Sequence, residues 1–438
     1  MNVRLPNPVA AAIVVILLLF MLMSFAYGIV VQRYQVFPFH LINSWKWAVL
    51  SIIDIGELEW YYRPTDLEFV VSAREGISKD RLNLVTSMVA DDQLSIRIID
   101  MDGQVRNQII VDWFDIWPEA THIPEFDLPQ SRPGTHIHGI VMLPNGDVVF
   151  NFEQLGLVRM TPCGELVWKL AYRTHHSVFL DEQGDLWVAG QITHTERSVK
   201  YPNHSPPFRE PMVLKVSTNG EILKEISVFE VLIQNDLRGY LHLSSTTIWN
   251  SVVHGGTLHL NDVEVFPTTL DEGIFKHGDI MISLRNISTV LVFDPNNLKI
   301  RYITTGRFTR QHDPDFLDGN TISVFDNNQI APDNYGHQSR IQIISASTGE
   351  IDIWYQGSET EPFYTSIMGK NQWLEDGSLL VTDSFNGRAF QLNPNREIVW
   401  EFVNLVDEGV VGLVEEVQRL PAEMTSLFSV DQSARCNL

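Results

Sequence analysis

Apolar residues run from Val9 to Val31 without a charged side chain, and only Ser24 and Tyr27 interrupt the pattern. A helix of these 23 residues is long enough to cross the ~30 Å hydrocarbon core of a bilayer. A cleaved signal peptide has a shorter apolar core, so the pattern favours an uncleaved anchor over residues 1–33. The bulk of the chain is then predicted to lie on the exported side, periplasmic or extracellular.

A second apolar stretch, Phe37–Ile55, is broken by the polar residues His40, Asn43 and Lys46. These interruptions argue against a second membrane span and favour a collar at the membrane surface or a packed helix. Residues 34–80 are therefore predicted to form a juxtamembrane linker and collar.

From about residue 81 the pattern changes to short strands of alternating apolar and polar residues, separated by turn residues. Six copies follow one another, at Leu82–Ile109, His138–Leu170, His176–Ile226, Gly278–Ile303, His312–Gly357 and Asn371–Phe402. Period-two alternation predicts antiparallel strands, and tandem repeats of about 40–50 residues with four strands each are typical of β-propellers. A solenoid would have shorter repeats, and a sandwich would not repeat so regularly. The predicted fold class is all-β, a six-bladed β-propeller at residues 81–405 preceded by an N-terminal transmembrane helix.

Three segments depart from the repeat. Ile192–Pro211, rich in His, Pro and Ser, is predicted to be a long loop within the third blade. Val228–Leu243 is predicted to add a short helix. Val406–Leu420 has helical apolar spacing and stops at Pro421, so residues 406–438 are predicted to form a helical tail.

Composition sets further limits. The 438 residues are 44% hydrophobic and 10% aromatic, which is enough for a large buried core. The formal charge of −23 repels phosphate backbones and argues against nucleic-acid binding. The two cysteines, Cys163 and Cys436, argue against a disulfide scaffold or a Cys-rich metal site, and the sequence leaves open whether they pair.

Histidines recur at one position of successive repeats. His138 and His176 each stand eight residues before a turn glycine, His312 stands seven before one, and His259 opens the fourth copy. The first strand of a propeller blade lines the central channel, so four imidazoles are predicted to converge on the axis. Neutral imidazoles crowded there cost desolvation free energy unless they bind an anion, a metal ion or one another.

Converging imidazoles fit two kinds of chemistry. Fe(II) or Zn(II) would be held by His138, His176, His259 and His312. Alternatively, one histidine is a nucleophile and its neighbours stabilise anionic oxygens. Arg285, on the second strand of the His259 repeat, favours the second chemistry, because a guanidinium binds sulfuryl or phosphoryl oxygens and repels a metal cation. His136 and His175 flank the set, and strand alternation is expected to turn them away from the channel.

Five sequence fragments together resemble the arylsulfotransferase family. They are HLND at His259–Asp262, ISLRN at Ile282–Asn286, RQHD at Arg310–Asp313, ISVFDNN at Ile322–Asn328 and WEFVN at Trp400–Asn404. The resemblance spans about residues 130–425. Characterised bacterial members transfer a sulfuryl group from an aryl sulfate to a phenolic acceptor, without a nucleotide sulfate donor, through a sulfohistidine in the periplasm.

The resemblance implies a role for each matching residue. His312 would be the nucleophile, His259 and Arg285 would hold the sulfuryl oxygens, and His176 would complete that clamp or protonate the leaving phenolate. Independently of the resemblance, Asp313 and Asp326 either orient His312 or cap turns; the sequence does not decide between these alternatives, and neither residue is counted as catalytic. The implied partners are a small aryl sulfate, a phenol and the membrane, with no cofactor.

Two other hypotheses stay open at this point. One is a metal-dependent propeller enzyme that uses the four histidines as ligands. The other is a non-catalytic, membrane-tethered propeller that presents a binding face to a partner. The characterised family members also carry a cleaved signal and an early disulfide, whereas this sequence shows an anchor and no early cysteine pair.

Overall fold

The computed structural model describes residues 8–34, 61–74, 77, 79–243, 253–330, 338–429 and 436. The chain divides into two compact units, Met1–Tyr61 and Tyr62–Leu438. The first contains helix α1 (Pro8–Tyr34), whose segment Ile13–Val31 has a mean hydropathy of 2.8. This helix is long and apolar enough to cross a membrane, a property that signal sequences share. The predicted collar at Phe37–Ile55 lies outside the described residues.

The second unit is built almost entirely from strands. Those before residue 172 are β1 (Tyr62–Pro64), β2 (Val71–Ala73), β3 (Leu82–Val89), β4 (Gln93–Asp100), β5 (Val105–Val111), β6 (Ile137–Met142), β7 (Val148–Phe152), β8 (Gly156–Met160) and β9 (Leu166–Leu170). Those up to residue 310 are β10 (Arg173–Leu180), β11 (Leu186–His194), β12 (His204–Val216), β13 (Ile222–Ser227), β14 (Val253–Gly255), β15 (Leu260–Val265), β16 (Ile280–Leu284), β17 (Thr289–Phe293) and β18 (Ile300–Thr305). The remainder are β19 (His312–Asp318), β20 (Thr321–Asp326), β21 (Arg340–Ser345), β22 (Ile351–Gln356), β23 (Lys370–Trp373), β24 (Leu379–Asp383), β25 (Arg388–Leu392), β26 (Ile398–Val403), β27 (Leu405–Asp407), β28 (Val410–Gly412) and β29 (Val414–Arg419).

Short helices occur between some of these strands. The α-helices are α2 (Trp113–Ile116) and α3 (Val228–Gln234), and the 3-10 helices are Glu125–Asp127, Arg238–His242, Arg285–Ile287, Ser384–Asn386 and Ala422–Phe428. The predicted helical segment at Val228–Leu243 is therefore confirmed.

Within the described residues the strands form six antiparallel four-stranded sheets. In order along each sheet they are sheet 1 (β29-β3-β4-β5), sheet 2 (β6-β7-β8-β9), sheet 3 (β10-β11-β12-β13), sheet 4 (β15-β16-β17-β18), sheet 5 (β19-β20-β21-β22) and sheet 6 (β23-β24-β25-β26). Strand β14 adds to β12, β2 adds to β26, and β1, β28 and β27 form a small separate sheet. The predicted mostly-β architecture is confirmed.

The first strands of the six sheets contact one another in a closed cycle, β6 to β10, β15, β19, β23, β29 and back to β6. These strands therefore surround a common axis, and residues on them meet across it. The cycle closes only because β29, from the end of the chain, pairs with β3 near its beginning.

Apolar side chains fill the space between neighbouring sheets. One cluster joins sheets 5 and 6 through Phe325, Phe363 and Phe390, and another joins sheets 6 and 1 through Trp400 and Phe402. All five side chains are at least 99% buried. Burying a side chain of this size contributes about 1.5–3 kcal/mol, so the sheets are held face to face mainly by these clusters.

The predicted helix at Val406–Leu420 is wrong, because that segment forms β27, β28 and β29. The register of β29 against β3 shifts between Val414 and Glu416, which marks a β-bulge. Because the bulge inserts one residue, Val414 and Val417 both face the core although they are three positions apart. That spacing imitates the period of a helix.

The predicted loop at Ile192–Pro211 is also mostly strand. Pairing of β11 with β12 continues to His194 opposite Phe208, which leaves only residues 195–203 as the connection. The imidazole of His194 lies 2.7 Å from the carboxylate of Glu210 across this extension. Proline residues in the sequence concealed the hairpin, since they are normally depleted in strands.

The two cysteines are paired. A disulfide joins Cys163, between β8 and β9, to Cys436; their Cα atoms are 5.5 Å apart and their sequence separation is 273. It attaches the end of the chain to sheet 2. Disulfides persist in oxidising compartments, which agrees with an exported protein.

Candidate functional site

The first strands of four sheets carry β-bulges where histidines were predicted. The register shifts lie between Ile137 and Ile140, His175 and Val178, Leu260 and Asp262, and His312 and Asp315. The backbone is left-handed at Gly139 (φ 89°), His176 (φ 59°), His259 (φ 55°) and Asp313 (φ 44°). A bulge bends its strand and redirects the side chains at that point. The repeated histidine position is therefore also a repeated backbone feature.

His176 lies at the centre of a cluster of imidazoles. Its Nδ1 is 2.9 Å from Nδ1 of His175, and its Nε2 is 3.2 Å from Nε2 of His259. Its ring centroid lies 4.1 Å from that of His138 and 6.3 Å from that of His312. The structure thus brings all four predicted histidines together. Because each short nitrogen–nitrogen contact holds one proton, His175, His176 and His259 form a hydrogen-bonded chain.

The expectation that His136 and His175 turn away from the channel is wrong. His136 directly precedes β6, and its ring centroid lies 5.3 Å from that of His138. His175 reaches His176 because the bulge after it breaks the alternation of β10.

Glu153, which no motif or spacing marks in the sequence, lies against these histidines. Its Oε2 is 3.1 Å from Nδ1 of His138 and accepts a hydrogen bond from the backbone N–H of His176 at 3.3 Å. Burial alone would raise the pKa of Glu153, but the hydrogen bond with His138 and the nearby imidazoles hold it well below its ordinary value. The cluster therefore contains one anionic carboxylate, revealed only by the pairing of β6 with β7.

His312 is held in one tautomer by Asn327. The amide nitrogen of Asn327 donates to the carbonyl oxygens of Thr365 and Met368 at 3.0 and 2.7 Å, so its Oδ1 faces His312. That oxygen lies 2.7 Å from Nδ1 of His312, which must carry the proton to donate it. Nε2 of His312 then bears a lone pair, and it is buried without a hydrogen-bond partner. This arrangement suits a nucleophile.

Arg285 begins the 3-10 turn after β16, where its backbone N–H donates to the carbonyl oxygen of His259 at 3.0 Å. Its Nε is buried without a hydrogen-bond partner, and no salt bridge neutralises it among the described residues. Burial, with the charge of Arg310, lowers its pKa to about 10. A desolvated guanidinium without a counter-charge favours an anion beside it.

Burial and the charge of Arg285 also hold the pKa values of His259 and His312 well below the ordinary value. Both imidazoles are therefore neutral at pH 7. Arg285 is near enough to lower both pKa values, so the three residues supply lone pairs, N–H donors and one fixed positive charge, which suits an anion whose central atom undergoes nucleophilic attack.

The sequence fragments that carry the family resemblance bond to one another. The amide nitrogen of Asn261 donates to the carbonyl oxygen of Gln311 at 2.8 Å, next to His312. The amide nitrogen of Gln311 donates to the hydroxyl of Ser283 at 2.9 Å, two residues before Arg285. The polar residues of these fragments thus fix the relative positions of the histidines and the arginine.

A second polar cluster on the first strands was not foreseen. Its carboxyl groups belong to Asp262, Glu264, Asp313, Asp315, Glu415 and Glu416. Lys370 donates to Asp313 at 2.6 Å and to Asp262 at 3.3 Å. Burial raises the pKa of Asp262 to about 7 and lifts those of Glu264, Asp315 and Glu415 well above the ordinary value. Asp313 pairs with Lys370 instead of orienting His312. Asp326 pairs with Arg340 and accepts a hydrogen bond from the backbone N–H of Asn328, so the turn-capping alternative is confirmed for Asp326.

Glu415 gives this cluster a measurable effect on stability. It is 1% exposed, and neither carboxylate oxygen has a hydrogen-bond partner. Because burial and the charge of Glu153 raise its pKa, folding favours the protonated form. This contribution to the free energy of unfolding is fully present below pH about 4.3, the pKa of a glutamate in the unfolded chain. It decreases by about 1.4 kcal/mol per pH unit as pH rises from there toward the pKa of Glu415 in the folded protein.

We expect Glu415→Gln, which cannot ionise, to gain stability relative to the wild type as pH rises from 5 to 8. Urea unfolding of the full-length protein in detergent at each pH measures the difference. Glu423→Gln, at an exposed position, is the control and should follow the wild-type curve. Parallel curves for Glu415→Gln and the wild type would contradict the expectation.

A small pocket, open to solvent, leads to the histidine cluster. Its lining residues are Gln154, His175, His176, Gln191, Arg209, Pro211, Gly256, His259 and Leu260. Among the described residues, this lining contains no Phe, Tyr or Trp. It combines polar side chains with the apolar Pro211 and Leu260, and Arg209 contributes a positive charge.

Three side chains that could ligate a metal ion also lie close together beside the histidine cluster, but they are not the four histidines predicted as metal ligands. Among the described residues, the atoms that lie within 4.8 Å of one another belong to His136, His138 and Glu153. Only His138 is common to both sets.

Comparison with solved structures finds chains of low sequence identity. A protein of unknown function from Bacteroides caccae is 12% identical, with 78% of this chain and 99% of that chain covered and a TM-score of 0.46. TolB from Acinetobacter baumannii is 12% identical, with 79% and 69% covered and a TM-score of 0.41. The WD40 β-propeller domain of Doa1 is 10% identical, with 82% and 94% covered and a TM-score of 0.40.

No curated protein matches the chain. The arylsulfotransferase (ASST) family, in contrast, matches residues 139–405. This range includes Arg285, Asn327 and every histidine of the cluster except His136 and His138. This match covers more than half of the sequence. The protein therefore belongs to the arylsulfotransferase (ASST) family.

Proposed function

We propose that this protein transfers a sulfuryl group from an aryl sulfate to a phenolic acceptor through a sulfohistidine at His312. The family match supports arylsulfotransferase activity in general. The observation that carries the finer proposal is Nε2 of His312, which is buried, unpartnered and left with its lone pair by the Asn327 hydrogen bond.

In the first half-reaction, Nε2 of His312 attacks the sulfur of the aryl sulfate. The N–S bond forms, the S–O bond to the aryl ring breaks, and the phenolate takes that electron pair. Arg285 and His259 hold the sulfuryl oxygens, whose charge changes during the transfer. Their desolvated environment strengthens these interactions relative to water.

The leaving phenolate needs at most one proton, because it is already a tolerable leaving group. His176, whose pKa burial holds well below the ordinary value, is neutral and is the group we assign to complete the hydrogen-bonding clamp around the transferred group. In the second half-reaction the acceptor reacts as its phenolate, whose oxygen bonds to sulfur while the N–S bond breaks and Nε2 of His312 recovers the electron pair. The proton that the acceptor phenol releases to water balances the proton that the departed phenolate takes up. Two half-reactions through one covalent intermediate give ping-pong kinetics.

We further propose that the six sheets are the blades of a six-bladed β-propeller, held at the membrane by α1 with the propeller on the exported side. The closed cycle of contacts among the first strands supports the blade count. The hydropathy of Ile13–Val31 supports the anchor, and the Cys163–Cys436 disulfide supports an oxidising compartment.

The test uses the full-length protein in detergent with 4-nitrophenyl sulfate, with and without phenol. We expect nitrophenolate release that depends on phenol. With donor alone, we expect a burst and a covalent adduct of one SO3 group, located on His312 by mass spectrometry after an alkaline quench. Turnover without an adduct, or an adduct on another residue, would overturn the sulfohistidine mechanism.

A further inference from the structure

The pairing of β6 with β7 brings two histidines and a carboxylate together at one end of sheet 2. His136 directly precedes β6, His138 lies on it, and their ring centroids are 5.3 Å apart. The backbone N–H of Glu153 donates to the carbonyl oxygen of His136 at 3.0 Å, which sets Glu153 directly opposite on the neighbouring strand. Directly opposite residues of an antiparallel pair point to the same face.

The side chains of this triad converge. Their potential ligand atoms lie within 4.8 Å of one another, and Oε2 of Glu153 is 3.1 Å from Nδ1 of His138. Metal–nitrogen and metal–oxygen bonds of about 2.0–2.2 Å place neighbouring ligands of one ion about 3–3.5 Å apart. Side-chain rotations alone can close the remaining gap, since the backbone pairing already fixes the three positions.

One feature leaves the triad without a complete set of protein partners. Nε2 of His136 is buried and has no hydrogen-bond partner. Glu153 accepts hydrogen bonds from Gln154 and from the backbone N–H of His176, but the ion pairs of its carboxylate are with imidazoles only, and no lysine or arginine of the described chain pairs with it. A divalent cation would give His136 a partner and Glu153 a counter-charge.

We infer that His136, His138 and Glu153 form a site for a divalent first-row transition-metal ion, next to the sulfuryl-transfer residues and distinct from them. Two imidazoles and one carboxylate are the ligand type that Zn(II) and Fe(II) prefer, and three protein ligands leave positions open for water or a small anion. The inference does not depend on the proposed function, because His312, His259 and Arg285 are not among the ligands.

The experiment titrates Zn(II) into chelator-treated, full-length protein in detergent, purified without a polyhistidine tag. Calorimetry should show one equivalent bound with a dissociation constant of about 1 μM or tighter. His136→Ala and Glu153→Gln should each weaken binding at least about 100-fold. X-ray absorption of the zinc-loaded wild type should show imidazole and carboxylate ligands, a readout that does not depend on any variant folding.

Two controls separate this site from others. His277→Ala removes an imidazole that pairs with Glu272 outside the cluster, at 3.6 Å, and should bind zinc as the wild type does. His312→Ala should also keep wild-type affinity, so loss of sulfuryl transfer and loss of zinc are independent results. The inference is overturned if the wild type binds no zinc. It is also overturned if His136→Ala and Glu153→Gln both bind zinc as the wild type does while His176→Ala or His312→Ala does not.

Discussion

Replacing His312 with alanine should lower phenol-dependent turnover of 4-nitrophenyl sulfate at least about 10³-fold and abolish the covalent adduct. Between the two half-reactions the sulfuryl group is attached to the protein only by the N–S bond to His312. No other imidazole of the cluster combines a buried, unpartnered Nε2 with a tautomer fixed from the opposite side. Initial rates and intact-protein mass spectra of the same sample give both measurements.

His277→Ala is the matched control for that experiment, because it removes an imidazole that stacks on Phe266 and lies outside the cluster. It should keep wild-type turnover. If His312→Ala retained the adduct, the nucleophile would have to be another histidine, with His176 the next residue to replace. Retained turnover without an adduct would instead indicate direct transfer between the two substrates.

Replacing Asn327 with leucine should lower kcat by about 10²-fold with little change in KM, since Asn327 orients His312 and contacts no substrate. The hydrogen bond from His312 to Asn327 raises the pKa of that imidazole against the larger effects of burial and Arg285, which lower it. Its removal therefore lowers the pKa of His312 further. We expect the acid limb of the kcat/KM profile to move to lower pH while the maximum falls.

Asn328→Gly serves as the control for this substitution. Asn328 lies next to Asn327 and makes its own hydrogen bonds, to Gln338 and Arg340, but none to His312. Its positive φ of 52° suits glycine, so the backbone can keep its path. The control should retain both the rate and the pH profile. A loss of rate in Asn327→Leu without movement of the acid limb would indicate a purely structural role for Asn327.

Much of the fold could be predicted from the sequence because the repeat unit is local. Alternating strands and turn residues recur within each sheet, and the histidines recur at the bulged position of the first strand. The sequence-based predictions fail where a β-bulge interrupts the two-residue alternation of a strand. In β29 it makes Val414 and Val417 imitate a helix, and in β10 it turns His175 toward His176.

The rest of the site could not be predicted, because it depends on contacts between distant parts of the chain. Glu153 meets the histidines only through the β6–β7 pairing, and Glu415 and Lys370 approach the axis only after the cycle of first strands closes. Asn327 lies within the ISVFDNN fragment, but its orientation toward His312 depends on the carbonyl oxygens of Thr365 and Met368, which accept its amide N–H groups. Sequence spacing carries no information about such pairings.

Closure of the cycle by β29 also determines when the protein can fold. Thr86 and Glu416, which meet in sheet 1, are 330 residues apart, so sheet 1 lacks its innermost strand until nearly the whole chain has been delivered. Pairings of such high contact order form slowly, and β3 meanwhile presents an open edge that other strands can join. Folding therefore ends in one late, cooperative step. We therefore expect a chain that ends before residue 414 to be sensitive to proteases instead of forming a smaller stable protein with five complete sheets.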